Sequence, residues 1–92
     1  MKSLDICREE INEVDKAIVV LFEKRMELAL DVARYKLENK LPILNEIREN
    51  EVIKKNKEYL QNKCLEEAFE RFMNEIMSIS RELQNDFISI NS

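Results

Sequence analysis

The chain has 92 residues, 45% of them hydrophobic and 37% charged, with a formal net charge of −4, no histidine, no glycine, one proline and two cysteines. Such totals describe one small domain over residues 1–92 and exclude a general nucleic-acid binder, whose phosphate contacts require a basic excess. They also exclude a histidine-built metal centre, and Cys7 and Cys64 match no CxxC or zinc spacing, so both read as fillers of helix faces.

The N-terminus, MKSLDICREE, lacks an apolar signal-like region, and no apolar run approaches the length of a membrane span. The expectation is an unprocessed cytoplasmic protein. A domain of this size buries a modest core, so a second subunit is a natural source of additional burial.

Sustained period-2 alternation is missing and breakers are few, so the fold class reads as all-α with three helices: roughly 3–39, 45–61 and 64–88. Helix 1 carries a heptad-like stripe, with Leu4, Ile11, Ile18 and Val32 in one register and Cys7, Val14, Leu21, Leu28 and Tyr35 in the other. At roughly 1.5 Å per residue such a helix is about 50 Å long. A compact monomer of this length has a diameter of roughly 30 Å, so the helix overruns its own globule and a second copy of the chain is the simplest cover for the stripe.

Pro42 separates helices 1 and 2, and the polar QNK at 61–63 separates helices 2 and 3. Helix 2 has a narrow apolar side of Val52, Ile53, Tyr59 and Leu60. Helix 3 is amphipathic, with Phe69, Phe72, Met73, Ile76, Leu83 and Phe87 on one face and Glu70, Arg71, Glu75, Arg81, Glu82 and Asp86 elsewhere.

Several polar residues interrupt these apolar faces. Arg25 falls in the middle of the helix 1 stripe, and Lys36, 11 positions on, lies within about 20° of the same azimuth. Taken singly, each could lay its stem along apolar surface and send its charge to water. On helix 3, Ser80 projects between Ile76 and Leu83 with Gln84 four residues on, where a serine bonded to its own helix and a boundary glutamine are the bland alternatives. Glu49 shares the side of Val52, Ile53 and Leu60, with Arg48 beside it as a ready surface ion partner. Together they point further. Buried charges cost several kcal/mol each unless paired, so a small core holding Arg25, Lys36, Glu49, Ser80 and Gln84 implies something bound among them, a small ligand with carboxylates, a hydroxyl and an uncharged oxygen.

The segments CREEINEVDKAIVVLFEKRMELALDVARYK, PILNEIRE from Pro42 to Glu49 and SRELQ from Ser80 to Gln84, in this order and spacing, resemble the small all-helical class of chorismate mutases over nearly the whole chain. The resemblance implies two chains intertwined along their long first helices, with two equivalent sites and no cofactor or metal. It implies chorismate as substrate, with Arg25 on one carboxylate joined by the partner subunit's Arg8, and Arg48 and Ser80 on the other. Glu49 then accepts from the ring hydroxyl, and Lys36 and Gln84 flank the ether oxygen. Arg8 and Arg25 lie 17 residues apart, roughly 25 Å along one helix, too far for one chain to clasp a small ligand with both. Asn45 stands where the family usually has aspartate; it suits either a contact to the substrate hydroxyl or an N-cap of helix 2.

Two other functions fit parts of this pattern. An isochorismate-pyruvate lyase uses the same scaffold on a similar dianion. A non-catalytic helical dimer, a binding or scaffolding module, would carry aliphatic residues at the Arg25, Ser80 and Gln84 positions. If the chain stands alone, its length is expected to leave no room for a fused dehydrogenase, dehydratase or regulatory domain.

Overall fold

The computed structural model describes residues 1–92 as three α-helices, with no strand. Helix α1 spans Leu4–Glu38, α2 spans Glu46–Glu58 and α3 spans Glu66–Asn91, the last preceded by a single 3-10 turn at Lys63–Leu65. These are the three elements expected, with ends displaced by no more than three residues.

Each start has a local cause. Ser3 Oγ accepts from the Ile6 amide (3.2 Å) and Asp5 adds a negative charge in the first turn of α1. Asn45 Oδ1 accepts from the Arg48 amide (3.0 Å) to open α2. Asn62 Oδ1 accepts from the Cys64 amide (3.0 Å) at the 3-10 turn. No side chain caps α3 itself, whose first turn instead carries Glu66 and Glu67 against the helix dipole.

The end of α1 lies before Pro42 and is made by the backbone itself. The Leu41 amide reaches back to the Lys36 carbonyl (2.8 Å) and the Lys40 amide to the Leu37 carbonyl (3.3 Å), the paired bonds of a Schellman motif. Lys40 supplies the left-handed residue with φ 55°, in the place glycine normally takes. Pro42 lies two residues beyond, where it bars any continuation.

Both α1 and α2 pack on α3, while no Cα atom of α1 lies within 8 Å of one in α2. A gap therefore remains between them, floored by α3. That separation is what leaves space for a site.

The core is small: Met26, Ala29 and Ala33 of α1 meet Met73 and Met77 of α3. The alanines let the helix backbones approach, and the unbranched methionines fill the irregular space between them. Of the helix 3 face read from periodicity, Phe72 and Leu83 are exposed and Met73 is buried; Met77, outside that face, is buried together with Ser80 and Gln84. The α1 stripe finds no cover within the chain. Its aliphatic members and Tyr35 are all exposed, and Cys7 is half-buried. The molecule is correspondingly drawn out, at 55 × 25 × 15 Å with a radius of gyration of 16.5 Å, against roughly 12 Å for a compact chain of this length.

Candidate active site

The gap between α1 and α2 is a cavity of about 300 Å³, at the lower end of the range for small-molecule sites. Seven of the eight residues singled out in the sequence line it: Arg25 and Lys36 from α1, Asn45, Arg48 and Glu49 from the start of α2, and Ser80 and Gln84 from α3. Apolar walls come from Leu28, Ala29 and Val32 of α1, Val52 of α2 and Met77 of α3, with Ile43 from the joint.

Arg25 is half-buried beside the Met26, Ala29 and Ala33 core. Burial, and secondarily the nearby Arg48 cation, hold its guanidinium below its ordinary pKa. An arginine so placed still remains charged at neutral pH, so the folded chain carries the cost of a partly desolvated cation facing another cation. Neither Arg25 nor Arg48 forms an ion pair with a carboxylate of this chain, and nor does Lys36. An anion entering the cavity would relieve that cost.

Lys36 does not send its head to water. It is half-buried, and Nζ donates to the Ile43 carbonyl (2.7 Å) across the 39–45 joint. An ammonium has three donors, so two remain for the cavity. The Schellman turn after Lys36 brings Ile43 back within reach, which makes the joint itself the support for this cation.

Ser80 and Gln84 are the two buried polar residues, each 7% exposed. Gln84 Nε2 donates to Ser80 Oγ (2.9 Å), while Gln84 Oε1 is buried with no partner. An unmet buried acceptor costs about 1–3 kcal/mol, so a core selected for stability alone would carry an aliphatic residue here. Asn45 caps α2 and lines the cavity at once. The cap is thus a role the structure assigns, whatever else its side chain does.

Sequence reasoning missed Arg81. Placed with the outward residues of helix 3, it in fact lines the cavity and reaches α2, where its Nη1 donates to both Glu49 oxygens (2.5 and 2.6 Å). Glu49 is accordingly paired across helices with Arg81, not along its own helix with Arg48. Arg81 follows Ser80 directly, about 100° around the helix, so it lies at the margin of the inward face. That adjacency was the one available signal. Arg8 is the opposite case: it is exposed, far along α1, and does not line this cavity. No group of three or more His, Cys, Asp or Glu side chains is arranged to hold a metal, and no helix is long and apolar enough to cross a membrane.

Fold and site together define an all-α protein with a pocket lined by Arg25, Lys36, Arg48 and Arg81. Residues 7–85 match the family model of chorismate mutase type II, and the chain belongs to that family. It is 32% identical, over 92% of its length, to a bifunctional chorismate mutase/prephenate dehydratase of Buchnera aphidicola subsp. Schizaphis graminum, of which it covers 23%. It is 33% identical, over 100% of its length, to the T-protein of Haemophilus influenzae, of which it covers 25%. The chain thus spans about a quarter of the length of these relatives. No solved structure matches it.

Proposed function

We propose that this chain is a chorismate mutase, rearranging chorismate to prephenate as a single-domain homodimer in the cytoplasm. The observation that carries the reading is the convergence of Arg25, Lys36 and Arg48, none of them paired with a carboxylate, on one cavity that also holds Glu49, Ser80 and Gln84. A dianion with a hydroxyl and an ether oxygen matches that set of donors and acceptors.

The reaction breaks an ether C–O bond and forms a C–C bond within one molecule, so it calls for no nucleophile, general base, metal or cofactor. Two tasks remain for the protein. It must hold a flexible dianion in its compact conformer, and it must stabilise the charge that grows on the ether oxygen. Arg25, with the partner subunit's Arg8, grips one carboxylate; Arg48 and Ser80 hold the other. Glu49 accepts from the ring hydroxyl, with Asn45 alongside it at the start of α2. Lys36 and Gln84 donate to the ether oxygen. The Gln84–Ser80 bond is compatible with both assignments, because it uses one Nε2 proton and leaves the second, along with the Ser80 hydroxyl proton, free for the ligand.

A second copy supplies the cover that α1 lacks. From Leu4 to Phe22, nine large aliphatic or aromatic side chains are each at least 40% exposed. Pairing the first helices would bury them and carry one chain's Arg8 toward the other's Arg25.

A chorismate-consumption assay on wild type and Arg25→Ala, with product identification and sedimentation, tests the proposal. Prephenate formation by a dimer, abolished in the variant, is the expected result. Faster pyruvate release from isochorismate would reassign the chain to lyase chemistry. Failure of a bicyclic transition-state mimic to raise Tm would point to a binding module, since a ligand at 100 times its Kd adds about 2.7 kcal/mol.

A further inference from the structure

We propose that Arg81 is a positioning residue that holds Glu49 in the orientation needed to select ligands by their hydroxyl group. The inference rests on the reading of the cavity as a site for a hydroxylated dianion and assigns a role to a residue outside that reading.

The geometry is specific. One guanidinium nitrogen, Nη1 of Arg81, donates to both oxygens of Glu49, from a residue 32 positions away on a different helix. Neither side chain is fully buried, at 31% and 24% exposure, yet both line the same cavity. The contact links the first turn of α2 to the middle of α3, while no Cα atom of α2 lies within 8 Å of one in α1. Nothing else in the chain bonds the Glu49 carboxylate.

A carboxylate in a pocket for a dianion is an electrostatic anomaly, because it repels the ligand it helps to bind. Arg81 resolves it in two ways. Its charge offsets that of Glu49, leaving the pocket cationic. It also occupies the Glu49 oxygens from the α3 side, so that the remaining lone pairs are directed into the cavity, where a ligand O–H can donate to them. A carboxylate can accept about four hydrogen bonds, so the Arg81 contacts and a ligand hydroxyl can coexist. Without Arg81, Glu49 would be free to rotate toward Arg48 on its own helix or toward water. The hydroxyl would then lose its acceptor.

The test compares two oxabicyclic dicarboxylates, one bearing a secondary hydroxyl and the other its deoxy counterpart, by calorimetry. The readout is the ratio of the two Kd values, in which effects of charge or fold common to both ligands cancel. Wild type is expected to prefer the hydroxylated ligand by roughly ten- to hundredfold, the value of one hydrogen bond to a charged group. Arg81→Met, or Arg81→Gln should the methionine variant not fold, is expected to bring that ratio within about threefold of unity, and Glu49→Gln to do the same. A ratio retained in the Arg81 variant overturns the proposal, whatever happens to the separate affinities. So does a wild-type ratio of one. Failure of wild type to bind either ligand would instead overturn the chorismate mutase reading, and this inference with it.

Discussion

The two halves of α1 have the same helical period and nearly the same kind of sequence, and they end in opposite situations. Residues 25–38 contribute three core residues and two cations to the contact with α3 and to the cavity. Residues 4–24 contain no buried residue, although they carry nine exposed large apolar side chains. Amphipathicity states that a face needs cover; it does not say who provides it. In the C-terminal half α3 does, and small residues at 29 and 33 admit it closely. In the N-terminal half the chain has nothing left, and the proposed second copy takes that place.

The largest effect should come from breaking this contrast at its exposed end. Ile18→Glu puts a charge on the stripe, and burial of an unpaired charge costs several kcal/mol. Sedimentation should show monomers at concentrations where wild type is dimeric, with a dissociation constant raised by roughly 10³-fold or more and activity lost with it. An unchanged mass would remove the stripe from the interface.

Next come the donors at the other end. Lys36→Met and Gln84→Leu should each lower kcat by about 10²–10³, roughly 2.7–4 kcal/mol of transition-state stabilisation, with no change in mass. The arginines position substrate, so Arg48→Ala should raise KM as well as lower kcat. Because Gln84 has no proton to lose, turnover should stay nearly flat from about pH 5 to 9, and a steep loss of kcat above neutrality would dismiss Gln84 as the ether-oxygen donor.

Packing effects are smaller. Ala33 is fully buried at the α1–α3 contact, so Ala33→Leu should overpack it and lower the stability by about 1–3 kcal/mol in urea unfolding. Ala17→Leu, at an exposed position in the N-terminal half, should act only through dimerisation. Lys40→Gly should relieve the left-handed strain at the end of α1 and stabilise by about 1 kcal/mol.

The smallest expected effect concerns the Lys57–Glu70 pair (2.6 Å) between α2 and α3. Its hydrogen bond to Glu70, the leading cause, raises the Lys57 pKa from its ordinary 10.5. Stability from a raised lysine is fully present below the unfolded pKa and is lost as pH rises through the folded one. A slight fall in the urea midpoint above about pH 10.5, absent in Glu70→Gln, is the expected signature.

Periodicity and breakers were enough to read three helices and the overlong first one, because hydrophobic spacing, the Pro42 breaker and the polar stretch at 61–63 act within a few residues. Most of the site was legible for a related reason. Arg25, Lys36, Ser80 and Gln84 each violate an apolar pattern on a single helix, and such a violation can be seen without knowing what the helix faces. Arg81 violates nothing on its own helix. Its role arises from a contact with Glu49, 32 residues distant, and depends on how α2 is laid across α3.

What the sequence by itself determined about this chain is therefore local: where helices begin, which faces are apolar and which polar residues are out of place. The tertiary structure decided which apolar face is used first and left the α1 stripe open. It ended α1 in a glycine-free Schellman turn that seats Lys36, kept α2 off α1 so that a cavity exists, and turned an outward arginine into the partner of Glu49. Those outcomes depend on competition among faces for a limited inner surface, which no single helix encodes.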